Sequence, residues 1–359
     1  MKTINLYLIL FMLVTLFSCN NNDKGYKTTK LDKELLQNSD SLVVDTILNS
    51  DNLPRAQKFF YINDSVILIQ NRKFENQSFL EFYNIHNNKI IKKLFKNGNG
   101  HDEMLSIIVN LENNRLLARD FIRNNYTIVN IDSLLTDSAY KSPFVFNGYL
   151  GISSLSLYKN EILAVNPYTF SCKEQNIEQD CGSKIVKLPA LNKLCNSDHE
   201  YNTLNVAAQG EIVANDNEKI ICYADFAQPY INIYNDKLEL VKRYEGPDEL
   251  SVEYAITDQK EVLYKKRIPY AYLKSCYNDK YFYLCYMGAY WESDVTVTMD
   301  NFPCYIFKFN WDGDFVKSYK SDRWIYALSC NPQYSGKDIL YATINNANGI
   351  PTLVKLYEK

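Results

Sequence analysis

With 359 residues and a formal net charge of −3, the chain is long enough for a large core and lacks the clustered basic face that nucleic acid requires. Aromatic residues make up 14% of it, with 29 Tyr against 12 Gly and 10 Pro. Tyr, Phe, Ile and Val suit half-buried pleated surfaces, so the composition points to strands. Length alone does not require two domains, because closed all-β folds exceed the usual domain size.

The chain opens on Lys2 and an apolar run, Ile4–Phe17, broken only by Asn5 and Thr15. A run this short is the core of an export signal rather than a membrane span. It ends in Leu16-Phe17-Ser18-Cys19, which resembles a bacterial lipobox. That resemblance implies cleavage before Cys19 and acylation of its thiol, making the lipid bilayer the first expected partner. Residues 1–18 are thus expected to be a signal peptide. Asn20–Asp40 is polar and charged, so residues 19–40 read as a tether, and residues 41–359 as the folded domain. The expected address is the cell envelope, with the protein lipid-anchored at the outer membrane and either periplasmic or surface-exposed. Of the remaining cysteines, Cys222, Cys285 and Cys304 sit inside strand patterns, where Cys acts as a small apolar residue. Cys172 and Cys181 share one polar loop and form the best candidate disulfide.

The mature chain repeats one grammar. Phe59–Gln70 reads as strand, Asn-Asp turn, strand, and Phe79–Ile85 and Lys89–Lys96 follow as a second pair. The second unit holds Ser106–Asn110, Arg115–Ala118, Tyr126–Ile131 and a weaker fourth strand. The third holds Ile152–Tyr158, Glu161–Val165 and Lys184–Leu188. The fourth holds Glu211–Ala214, Lys219–Tyr223, Tyr230–Tyr234 and Leu238–Tyr244. The fifth and sixth contain the clearest stretch of all, Cys304–Asn345, in which the Asp312-Gly313 turn joins two alternating strands. Four short antiparallel strands per roughly 40–50 residues is the signature of a β-propeller, and the turn period is too short for repeated sandwiches. The expected fold is therefore all-β: a six-bladed propeller with four-stranded blades. The sixth unit ends after three strands, and Ser41–Leu48 is expected to supply its missing outer strand and close the ring.

One motif occurs twice. Gly100-His101-Asp102-Glu103 lines up with Gly246-Pro247-Asp248-Glu249, each after a fourth strand. This resembles the GxGPxE-like signature of the TolB-like six-bladed β-propeller lipoproteins of Bacteroidetes, in which a lipobox precedes the propeller. His101 replaces the usual Pro in the first copy. The resemblance implies the fold and the lipid anchor more than an activity. The glycines permit a tight crossing between blades, and the acidic residues can cap the turn or contact a polar ligand.

By strand parity, the loops between blades and the turns joining second to third strands emerge on one face. That face is expected to carry Asp102, Glu103, Asp248 and Glu249, the charged Arg119, Asp120 and Arg123, and long insertions at Asn166–Ser183 and Gly288–Pro303. Tyr290 and Trp291 add aromatic contact area. His101, Asp102, Glu103, Arg119, Asp120, Arg123, Asp248, Glu249, Tyr290 and Trp291 are therefore the candidate ligand contacts. Catalytic signatures are absent: there is no HExxH, GxSxG elbow or P-loop. The favoured reading is a binding or scaffolding lipoprotein for a glycan, peptide or protein, with no catalytic residue and no required cofactor. The alternative is a metal-dependent hydrolase or lyase holding a divalent cation in the central channel.

Overall fold

The structure, a computed structural model, describes residues 26–358 except 50–52, 54, 74–76, 101–102, 113, 124, 138, 141–143, 148–153, 159–160, 166–183, 188–209, 257–261, 265–268 and 291–301. It is all-β. The chain begins with β1 (Lys27–Lys30), a short helix α1 (Glu34–Gln37) and β2 (Asp40–Asn49). A first meander follows: β3 (Ala56–Tyr61), β4 (Val66–Asn71), β5 (Ser78–Asn84) and β6 (Lys89–Asn97), with β7 (Glu103–Met104) added in parallel at its edge. The second sheet holds β8 (Ile108–Glu112), β9 (Arg115–Asp120), β10 (Asn125–Asn130) and β11 (Phe144–Asn147), with helix α2 (Ile131–Thr136) before the last strand. The third holds β12 (Ser154–Tyr158), β13 (Glu161–Val165) and β14 (Lys184–Lys187). The fourth runs β15 (Gly210–Asn215), β16 (Ile220–Asp225), β17 (Tyr230–Asn235) and β18 (Leu240–Glu245). A hairpin of β19 (Tyr254–Ile256) and β20 (Val262–Tyr264) leads to β21 (Pro269–Tyr277), β22 (Tyr281–Tyr290), β23 (Cys304–Asn310) and β24 (Phe315–Ser321). The chain ends in β25 (Ala327–Cys330), β26 (Ile339–Asn345) and β27 (Pro351–Glu358).

The first strands of successive sheets are neighbours: β3 beside β25, β25 beside β21, β21 beside β15, β15 beside β12 and β12 beside β8. Antiparallel meanders arranged radially around a shared centre, each beginning at that centre, make a β-propeller. The expected closure is present. Leu42–Asn49 of β2 pairs antiparallel with β27 as the outer strand of the last meander, so the two ends of the chain complete one sheet.

Three features depart from the regular plan. First, β2 also pairs in parallel with β24 through Asp40 and Ser41, fusing the last two meanders into one eight-stranded sheet. Second, β14 lies parallel to β13 instead of continuing the meander. Third, part of the expected tether belongs to the folded body. Lys27–Lys30 forms a parallel strand on β18, and Leu31 is buried with its amide bonded to the Glu245 carbonyl at 2.8 Å. The physical reason is the free edge of the fourth sheet. A short Thr-rich segment capped by Leu31 can satisfy its backbone groups, whereas composition alone made it look solvated.

Central strands such as β4, β5 and β16 are buried on nearly every residue, because each sheet is packed between two neighbours. Outer strands are half-exposed; the solvent-facing Val44, Ile90, Ile91, Val241 and Val316 all lie on them. The tyrosine-rich composition fills the joints between sheets: Tyr126, Tyr234, Tyr272, Tyr283, Tyr286 and Tyr319 are fully buried. Joints are also pinned by polar contacts. Thr343 Oγ1 accepts from the Phe59 amide at 2.8 Å and donates to the Phe59 carbonyl at 2.9 Å, tying the last sheet to the first. Between the fourth and fifth sheets, Lys242 Nζ lies 2.6 Å from Asp314, and the Tyr244 hydroxyl donates to the Gly313 carbonyl at 2.9 Å. Gly313 sits at φ +71°, as the Asp-Gly turn requires. Cys222, Cys276, Cys285, Cys304 and Cys330 are buried free thiols; Cys172, Cys181 and Cys195 lie outside the described residues.

Candidate functional site

The inner strands enclose a cavity of about 490 Å³ on the propeller axis, lined by residues of β3, β4, β8, β9, β15, β21 and β25, of the turn after β16 and of the segments entering β8 and β25. Its walls include the aromatic side chains of Phe226, Tyr270, Trp324 and Tyr326. Phe226 meets Tyr270 edge-on at 5.0 Å, and the Ala271 amide donates to the Phe226 carbonyl at 2.6 Å. The turn carrying Phe226 is built by Asp225, whose buried Oδ1 accepts the Ala227 and Gln228 amides at 2.9 and 3.0 Å. Burial pushes the Asp225 carboxyl up to about 7, although these amides and the Tyr223 hydroxyl pull the other way.

Polar chemistry enters the channel from the inner strands. The Glu211 carboxylate on β15 lies 3.9 Å from Lys274 Nζ and accepts from Ser275 Oγ at 2.8 Å, both on β21. Burial raises the Glu211 carboxyl, opposed by Lys274 and the Ser275 hydroxyl. Gly210 is required beside it, since a Cβ there would fall 2.3 Å from the Ala224 carbonyl and 2.5 Å from the Tyr223 ring. Lys58 on β3 completes the group. Among the described residues its ammonium makes no hydrogen bond or ion pair, and it falls to about 8 through desolvation and the repulsion of Lys274, with Glu211 opposing. Arg119 on β9 also lines the cavity, held between the rings of Phe121 at 5.4 Å and Tyr126 at 5.2 Å. Charged residues of the lining are thus Lys58, Arg119 and Lys274 against Glu112 and Glu211. No group of three or more His, Cys, Asp or Glu among the described residues is arranged to hold a metal ion.

The sequence-predicted contacts separate into two groups around this channel. Glu103, Asp120 and Arg123 come together, but they clamp a loop. Asp120 is buried; its carboxylate accepts the Leu105 amide at 2.8 Å, Ser106 Oγ at 3.0 Å and the Ile122 amide at 3.0 Å. The Arg123 guanidinium donates to the carbonyls of Gly98 and Glu103 and to Asn99 Oδ1, and lies 3.7 Å from Asp120. Glu103 Oε2 accepts the Gly100 amide at 2.6 Å, the turn-capping role open to it from sequence. In the second copy, Asp248 accepts from the Tyr286 hydroxyl at 2.9 Å and faces Lys33 at 3.6 Å, while the Tyr290 hydroxyl engages the Ser251 carbonyl at 3.2 Å. Glu249 lies in the same loop. Tyr290 is not in a loop: β22 extends through it, paired with Pro269, so the expected insertion from Gly288 starts only after it. Cys19, His101, Asp102, Trp291 and the Cys172–Cys181 loop lie outside the described residues.

Sequence reasoning missed Lys58, Glu211 and Lys274. The signal was present: each is a lone charge in a first strand of otherwise uncharged residues, as in Ala56-Gln57-Lys58-Phe59-Phe60. First strands line the axis, so a charge there faces the channel and not solvent around the rim.

No family model matches the chain, and no curated protein matches it, so the TolB-like resemblance rests on the quoted motifs alone. Among solved structures, the chain is similar to a protein assigned as exported, from Bacteroides fragilis, at 13% identity and TM-score 0.49, over 92% of this chain and 99% of that one. A member of the DUF4221 family from Bacteroides vulgatus matches at 12% identity and TM-score 0.48, over 90% and 99%. The β-propeller domain of Cps50 (Swd1) from Myceliophteria thermophila matches at 7% identity and TM-score 0.38, over 88% and 100%. At these identities and scores none of them carries a function over to this chain.

Proposed function

We propose that this chain is an exported, lipid-anchored binding protein of the bacterial cell envelope: a six-bladed β-propeller that admits a ligand to the open end of its central channel. The observation that carries this reading is the channel itself, an aromatic-walled cavity of about 490 Å³ into which charged side chains converge. Concave sites of this size with a few placed polar groups are where small molecules and the tips of larger partners bind. The lipobox-like Leu16–Cys19 supports the anchor, and the exported assignment of the Bacteroides fragilis protein agrees with that address. The basic majority of the lining supports an anionic ligand better than a channel cation.

Two experiments test the reading. Cys19→Ala should abolish acyl labelling and release the protein from membranes; a variant still membrane-bound in high salt would refute the anchor. Probing glycan and peptide arrays with detergent-extracted protein should yield ligands lost on Ile108→Trp, which places a bulky ring at a half-exposed channel-lining position. Binding that survives Ile108→Trp would move the site off the channel.

A further inference from the structure

Resting on that reading of the channel as a ligand site, we propose that its ligand is a small acidic sugar, a carboxylate- or phosphate-bearing pyranose whose oxyanion sits on the Lys58 and Lys274 ammonium groups. Three observations carry this. Among the described residues Lys58 lines the cavity with no hydrogen bond or ion pair, whereas Lys308, 5% exposed, is paired with Asp338 at 2.7 Å and packed on the Tyr281 ring at 3.6 Å. Lys274 stands close enough to Lys58 to repel it, and the carboxylate that acts on both, Glu211, is 3.9 Å from Lys274 and accepts from Ser275. Two half-buried ammonium groups beside one carboxylate leave a net positive charge that an incoming oxyanion neutralises. Finally, the surroundings suit a sugar body. Gln70, Asn110 and Ser275 offer hydroxyl partners, and Phe226, Tyr270 and Trp324 offer ring faces for its C–H surface.

The groups that face Lys58 set the pH dependence. They are Lys274 and Glu211, with Arg119 and Glu112 also on the cavity wall; β25 contributes only uncharged residues to it. A bound oxyanion favours protonated Lys58, so binding takes up protons near pH 8, and affinity falls as pH rises through that value.

The experiment is calorimetric titration of the detergent-extracted full chain with D-glucuronate, glucose 6-phosphate, inorganic phosphate and, as the neutral counterpart, D-glucose. The expected result is binding of at least one acidic sugar at least tenfold tighter than glucose. Lys58→Met should lose that binding tenfold or more, Lys58→Arg should retain most of it, and affinity should drop between pH 7 and 9. Glucuronate against glucose 6-phosphate decides which oxyanion is preferred. Equal binding of glucose and the acidic sugars, or no effect of Lys58→Met in a variant that melts like the wild type, overturns this inference while leaving the binding reading intact. Binding of inorganic phosphate alone overturns the sugar assignment. If no probe binds, and array ligands are insensitive to Ile108→Trp, the inference and the channel reading fall together.

Discussion

Asp338 is the residue whose removal should cost this fold most per atom deleted. Its carboxylate is 6% exposed and accepts from Lys308 Nζ at 2.8 and 2.7 Å, from the Tyr283 hydroxyl at 2.8 Å and from the Tyr319 hydroxyl. It precedes β26, while its donors come from β22, β23 and β24, so one side chain joins the last two meanders. Burial alone would raise its pKa, but Lys308, Tyr319 and Tyr283 together hold it below the usual carboxylate value. Asp338→Ala leaves a 5%-exposed ammonium and two phenol hydroxyls without their acceptor. Stranding one member of a buried ion pair costs about 3–5 kcal/mol. The Tyr281 ring beneath Lys308 returns about 1 kcal/mol of this, so a net loss of about 3 kcal/mol is expected. Lys308→Met should cost less, because the carboxylate keeps both tyrosine donors. Lys308→Met with Asp338→Ala should be more stable than Asp338→Ala alone, since no charge is then buried alone. Urea unfolding followed by tyrosine fluorescence, read as a change in midpoint at constant slope, measures all three. A loss below about 1 kcal/mol for Asp338→Ala, or strict additivity in the double variant, would refute the interpretation of Asp338 as the acceptor holding this joint.

Three further outcomes are expected. Deleting residues 41–48 should lower the melting temperature most, because it removes the closing strand. Deleting 27–38 should lower it by a smaller but clear margin, because Lys27–Lys30 and the buried Leu31 are lost, and deleting 20–25 should leave it unchanged; equal melting temperatures for the first and last would sink the closure argument. The Asp225 carboxyl is raised to about 7 by burial, above the usual carboxylate value of about 4, so the native state holds a proton that the unfolded chain releases. Stability should therefore fall as pH rises from about 4 to about 7 and level off above, and Asp225→Asn, which keeps an oxygen for the Ala227 and Gln228 amides, should flatten that slope in melting scans. Arg123→Ala should cost about 1–3 kcal/mol and increase amide exchange in the loop at Gly98–Met104, whose carbonyls it holds; unchanged exchange there would contradict the clamp.

Legibility followed periodicity. Cys304–Asn345 was readable because alternation, an Asp-Gly turn and aromatic strands agree, and the structure places β23 to β26 within that stretch. The closure by Ser41–Leu48 was readable because the last unit was one strand short. Lys27–Lys30 was not, because a parallel edge strand needs only free backbone groups on its partner, and those belong to β18, more than two hundred residues away. The parallel pairing of β14 was hidden because strand alternation is the same for a parallel and an antiparallel partner. The site was hardest. The Gly98–Glu103 loop carries a motif, but Glu103, the charged residue of it that the structure describes, is consumed by the backbone it organises. Lys58, Glu211 and Lys274 carry no motif, and only the ring arrangement brings three distant first strands to one axis.

If the chain is lipid-anchored at Cys19, the docking of β1 would also set how far the body stands from the membrane. If Cys19 bears the acyl chains, eight peptide steps separate it from Lys27, the first residue held on the edge of the fourth sheet. Fully extended, they reach about 28 Å, whereas a free tether running to Asp40 would reach roughly 75 Å. The shorter leash would work as a pivot at one fixed point on the rim and not as a cord. The propeller would ride close to the bilayer with its fourth sheet nearest the lipid, and partners would approach from the sides turned away from that edge. Inserting a flexible segment between Cys19 and Lys27 would lengthen the leash without touching the fold, and so alter the reach of the channel mouth independently of its chemistry.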